Sequence, residues 1–260
     1  MNELFSWKRL GMLIRNDFVA GYRLYLNAFA VLGIAMLLNA IPAAGFGHLK
    51  EGFYYGWFAG LMVVWGSIHA SLMFTELYDK RRNEAWLLLP ASALEKTLSR
   101  YLNGSLFFIL HIVVFVTAAA LVIELFNLAL FGRSNGLFNP FSREALEAIG
   151  TFMVIQPIFF LGGVWFRNAR WFKTVMTVFI INFGLTILAC FTFLLMFAGH
   201  FDELHYVFSR GFQDIDWEAS STMFDGVITG MKIICYGVLP PFCVYVSWLR
   251  VRETQVSYGV

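Results

Sequence analysis

Thr174–Phe197 reads TVMTVFIINFGLTILACFTFLLMF, 24 residues without one charge. At about 1.5 Å of rise per residue, a helix of that length reaches about 36 Å, enough to cross the ~30 Å hydrocarbon core of a bilayer. A membrane β-strand would need only about 10 residues and would alternate apolar with polar side chains. This run does not alternate, so it predicts a spanning α-helix. Five more runs of similar character occur, and the six spans fall at about 24–44, 53–75, 101–126, 149–166, 173–198 and 228–249. With 59% of its 260 residues hydrophobic and 14% charged, the chain carries more apolar surface than a water-soluble domain can bury. The fold class expected is an all-α integral membrane protein, one transmembrane domain over residues 1–260.

Lys and Arg set the expected orientation. Fourteen of the nineteen lie before the first span (Lys8, Arg9, Arg15, Arg23), in the second and fourth connections, or after the last span (Arg250, Arg252). The other side holds Lys50, Arg133, Arg143, Arg210 and Lys232. By the positive-inside rule both termini and the connection 76–100 are cytoplasmic. The net charge of +2 conceals this asymmetry and does not point to nucleic acid. The basic, mixed start runs into a full span, so no cleavable signal peptide is expected. Cys190, Cys235 and Cys243 lie in or near spans without the spacing of a redox or metal site.

Within residues 1–23, Trp7, Leu10, Ile14 and Phe18 recur at helical spacing while Lys8, Arg9, Arg15 and Asp17 point largely elsewhere. This predicts an amphipathic helix lying on the inner leaflet; the alternative is a basic anchor that merely extends the first span. Residues 199–227 form an acidic outer loop rich in aromatics, suited to short surface or re-entrant helices. Gly56/Gly60 and Gly226/Gly230 have the GxxxG spacing that lets helix backbones approach, either within the chain or in a dimer.

Asp79–Leu102, DKRRNEAWLLLPASALEKTLSRYL, is far more elaborate than a connector requires. Ser92 and Glu95 have the S-x-x-E spacing of a capping box that starts a helix running into the third span. Pro90 ends whatever precedes it, leaving a short helix over about 80–89. Its charged end (Arg81, Arg82, Glu84) and apolar end (Trp86, Leu87, Leu88, Leu89) could fit a groove on a soluble partner, with the charges setting register. Equally, the Trp and Leu side chains could rest among lipid headgroups.

The stretch FTELYDKRRNEAWLLLPASALEKTLSRYL, starting at Phe74, resembles the cytoplasmic segment between the second and third spans of ABC-2-type transporter permeases. Glu76 and Lys80–Arg82 match the charged start, Leu88, Leu89, Pro90 and Ser92 the turn, and Glu95, Lys96 and Arg100 the beginning of the next helix. Where the family usually has Gly-Thr, this chain has Asn83-Glu84-Ala85. The resemblance implies a bacterial inner-membrane permease subunit, an exporter, working as a homo- or heterodimer with separate ATPase subunits. The short helix around Glu84–Leu89 would be its coupling helix, and Arg81, Arg82, Glu84, Trp86, Leu87, Leu88, Leu89 and Pro90 the residues that couple to the ATPase. The chain has no GxxxxGK[ST] loop, so ATP and Mg would be bound and hydrolysed in that partner. No catalytic, cofactor-binding or metal-binding residue is expected here.

Ionisable groups inside spans are costly and each invites a functional reading. His69, His111, Glu124 and Lys232 are the candidates, with Asn39, Gln156 and Asn182 as neutral polar ones. They either line a path or hydrogen-bond between helices; Glu124 and Lys232 lie at similar depth and could pair. An intramembrane protease would need paired acidic or His-Glu ligand motifs that are missing. A non-transporting anchor or assembly subunit would use the same Trp/Leu element without a path.

Overall fold

The structure, a computed structural model, describes residues 5–46, 52–79, 86, 88–132, 136–197, 229–230 and 232–257. Among them every regular element is helical. α1 spans Trp7–Phe46, α2 Phe53–Gly60, α3 Gly66–Leu72 and α4 Thr75–Tyr78. α5 spans Ala93–Leu102, α6 Phe108–Phe131, α7 Arg143–Trp165, α8 Arg170–Phe197 and α9 Leu239–Ser257. π-helical turns at Leu61–Trp65 and Asn103–Phe107 join α2 to α3 and α5 to α6, and a third at Ile233–Val238 leads into α9. Six helical stretches are long and apolar enough to cross a membrane: Tyr25–Ala44, Phe53–Tyr78, Ala93–Phe131, Arg143–Trp165, Arg170–Thr192 and Ile233–Gln255. The acidic outer loop lies outside the described residues.

Two compact units emerge, Met1–Trp171 with Pro240–Val260, and Phe172–Leu239. In the second unit, α8 exposes almost every side chain from residue 179 to 192, the surface a lipid-facing helix presents. In the first, α1, α2, α6 and α7 share a core that includes Met36, Phe58, Met62, Ile112 and Phe152. A separate cluster gathers Leu77, Trp86, Ala93, Phe160, Val164 and Val251, and the Tyr78 hydroxyl donates to the Val164 carbonyl. The end of α4, the start of α5, the end of α7 and the last turns of α9 therefore meet at one end of the unit.

Residues 7–46 form one uninterrupted helix, about 60 Å long at the standard rise. The segment before the first span is thus an extension of it rather than a separate surface helix. Leu10 is buried while Trp7, Met12 and Phe18 are exposed, and the helix turns Arg9 and Asp17 toward α5. α5 starts on a complete capping box: Ser92 Oγ accepts from the Glu95 N–H, and the Glu95 carboxylate accepts from the Ser92 N–H. Ser142 caps α7 in the same way through the Ala145 N–H.

Within the chain, close helix contact occurs at glycines other than Gly56 and Gly60, and Gly226 lies outside the described residues. A Cβ on Gly56 or Gly60 would meet nothing within 4 Å. On Gly163 it would lie 2.7 Å from the Ser71 carbonyl oxygen, and on Gly66 2.3 Å from the Phe152 ring. Backbone on α3 cannot yield as a flexible side chain can. Gly163→Ala is therefore expected to lower stability by about 1–3 kcal/mol, read as a fall in thermal midpoint in detergent. Gly56→Ala, in open space, should change it by less than about 0.5 kcal/mol.

Candidate functional site: a charged clasp at the base of the third span

The first and third long helices both extend beyond what a bilayer needs. From Ala93 to Phe131 the third helix has 39 residues, about 58 Å against a ~30 Å core. At their N-terminal ends the two rods lie side by side, joined by two polar nodes.

Glu95 makes the first. Its side chain is 0% exposed, and one oxygen accepts from the Ser6 N–H at 2.7 Å and from Arg9 Nε and Nη2 at 3.2 and 3.0 Å. The other oxygen accepts from the Ser92 N–H at 2.9 Å. A buried carboxylate is tolerable only when its lone pairs are filled by such charge-assisted bonds, and its place in the first turn of α5 adds the favourable helix dipole. One side chain thus fixes the start of α5 and binds residues 6–9 to it.

Two turns along α1, Asp17 makes the second node. It accepts from Ser99 Oγ at 3.2 Å and Asn103 Nδ2 at 3.3 Å, and lies 3.3 Å from Arg100 Nη2. The same Arg100 nitrogen is 2.5 Å from Glu76 on α4. Burial raises the Asp17 carboxyl above its ordinary range, and the Arg100 guanidinium opposes that rise. Residue 9 faces 95 and residue 17 faces 99–103, so α1 and α5 run parallel and their starts lie at the same end. Through Glu76 the second span joins the clasp immediately before the connection 79–92.

Of the residues assigned to coupling, Arg81, Arg82, Glu84 and Leu87 lie outside the described residues. Trp86 is 5% exposed, in the cluster with Ala93 and Val164, and the Lys96 ammonium lies 5.0 Å from its ring centre. It is an inward anchor, not an exposed knob. Leu88 is 71% exposed, Pro90 is exposed and Leu89 half-buried. The apolar tip free to meet something else is therefore at Leu88.

The intramembrane candidates do not join this clasp. Tyr25 hydrogen-bonds His69 Nε2 and stacks on His111 at 5.5 Å between ring centres, while His111 Nδ1 bonds the Phe107 carbonyl of its own helix. Glu124 accepts from the Tyr54 hydroxyl at 2.6 Å. Lys232 belongs to the second unit and is exposed. Asn39 and Asn182 bond carbonyls one turn back, Ala35 and Val178. Gln156 is fully buried near Gly104, and among the described residues its amide has no hydrogen-bond partner. These side chains mostly tie helices together or satisfy their own backbone. No group of three or more His, Cys, Asp or Glu able to hold a metal occurs among the described residues.

In the sequence Arg9 reads as an orientation signal, and Arg9 and Asp17 as the polar side of an amphipathic helix; their partners on α5 are not evident there. A partial signal exists in the sequence: plus at 9 then minus at 17 meets minus at 95 then plus at 100, opposite charges in the same order on two helices, although the spacing differs. No family model matches the chain, and no curated protein or solved structure matches it. Arg100→Met should lower stability by about 3 kcal/mol, since Asp17 and Glu76 would lose the cation between them. Adding Asp17→Asn should recover part of that loss, measurable by thermal unfolding of both variants.

Proposed function

We propose that the protein is the membrane-spanning subunit of an ABC-2-like, ATP-driven transporter of the bacterial inner membrane, an exporter that dimerises and pairs with a separate ATPase. The observation that carries this reading is the clasp. The α1 extension, α4 and the base of α5 are bound to one another where the charged connection 79–92 leaves and returns. A push on that connection reaches three helices at once, through Glu76 to the second span and through Glu95 and Arg100 to the first and third.

In this reading the positively charged end of the bundle faces the cytoplasm. The partner binds ATP and Mg, and its closure presses on residues 80–90. Trp86, anchored against α5 and α7, converts that press into a tilt of the third helix, while exposed Leu88 and Pro90 meet the partner. Such an element works by differential contact in the two ATPase states, since an equal affinity for both would shift nothing.

The test is affinity capture of the detergent-extracted protein from its native membrane, followed by mass spectrometry. A phosphate-loop ATPase recovered in near-equal amount is expected. Leu88→Asp, which changes an exposed side chain, should abolish that recovery while insertion and thermal midpoint stay as in the wild type. Capture of the intact protein without any ATPase would reject the proposal.

A further inference from the structure

α5 and α9 do not pack flush. Between them opens an apolar cleft of about 510 Å³, lined by Leu94, Leu98 and Tyr101 on one side and Pro240, Val244 and Trp248 on the other. Its size is that of a small-molecule site, yet polar surface is almost missing from its walls. The cleft is open along one side, so what fills it comes from the surroundings of the helices.

Its place along the helices identifies those surroundings. Residues 94–101 and 240–248 cover about 10–12 Å of helix each, comparable to one leaflet of a ~30 Å hydrocarbon core. At the end of the unit where α4, α5 and α7 meet, α9 continues into Arg250, Val251 and Arg252. Arg250 is taken by Glu253 at 3.0 Å and lies 5.3 Å from the Trp165 ring centre. Arg252 is held 5.9 Å from the ring centre of Trp248, one of the residues that line the cleft. A cation carried on one of the aromatic rings that line an apolar slot matches a molecule with an anionic head and a hydrocarbon tail. The ring walls of Pro240 and Pro241 and the branched Val244 suit a methylene chain and offer no hydrogen-bonding code.

We propose that this cleft binds one phospholipid of the leaflet on the C-terminal side, with an acyl chain between α5 and α9 and an anionic headgroup at Arg252. Because α5 also bears the Glu95 and Arg100 nodes, the lipid lies against the helix on which the clasp is built. The site does not depend on an ATPase partner, and its test is independent of ATPase capture.

The full chain is exposed in detergent to an equimolar mixture of phosphatidylglycerol and phosphatidylcholine and examined by native mass spectrometry. One phosphatidylglycerol retained per chain is expected. Val244→Trp fills the slot and should reduce retention about tenfold, the worth of roughly two buried methylene groups. Arg252→Gln should reduce the preference for phosphatidylglycerol about fivefold. Equal retention by wild type and Val244→Trp would overturn the proposal. A phosphatidylglycerol with a photoactivatable acyl chain gives a reading on the wild type alone. Label concentrated on 94–101 and 240–248 supports the site; label spread at the same density over 176–191 overturns it.

Discussion

The described part of the first unit depends on one buried carboxylate. Glu95 must be both the reciprocal member of its own helix cap and the acceptor for Ser6 and Arg9. Remove the negative charge and α5 loses its start, while the N-terminal extension of α1 loses its hold on the third helix. Arg9 is 41% exposed, so its ion pair alone, screened by water, would be worth little. The anchoring comes from the backbone N–H groups of Ser6 and Ser92 that share the buried carboxylate, which no exposed pair could replace.

This arrangement resolves a tension in a membrane protein whose helices have no hydrophobic reason to prefer one another over lipid. Inside the bilayer, association relies on close packing and interhelical hydrogen bonds; here Gly66 and Gly163 provide the first and Tyr25–His69 and Tyr54–Glu124 the second. At the end of the unit that carries Glu95 and Arg100, charge pairs are added to these.

The six spans were legible because each run is long, apolar and nearly free of charge, and tertiary packing has little power to override that signal. The capping box was equally legible, since Ser92 and Glu95 settle their hydrogen bonds locally within three residues. Long-range pairing was not. Amphipathicity at Trp7, Leu10, Ile14 and Phe18 suggested a helix on lipid, but the same spacing serves a helix whose polar side faces another helix. The sequence pattern alone does not say whether headgroups or Glu95 receive Arg9. Glycine spacing likewise permits close approach without naming the neighbour: within the chain Gly56 and Gly60 meet nothing, and the close contact is at Gly163 against Ser71. Trp86 stands at the apolar end of the charged connection, where the sequence suits a partner's groove and lipid headgroups equally, yet a ring beneath Lys96 and beside Ala93 is shielded from both. That leaves the permease reading resting on the charged connection and the clasp beneath it, with the lipid cleft a separate property of α5 and α9.

The most direct measurement is hydrogen–deuterium exchange, by mass spectrometry, of the wild type and Glu95→Ala in the same detergent or bilayer. If Glu95 holds the extension to the third helix, amides from Ser6 through Asp17 will lose protection by an order of magnitude or more, as loss of about 1.4 kcal/mol or more of local stability requires. The spans between Phe53 and Tyr78 and from Phe108 onward will keep theirs. Unchanged protection over residues 6–17 would contradict the clasp and the coupling route built on it.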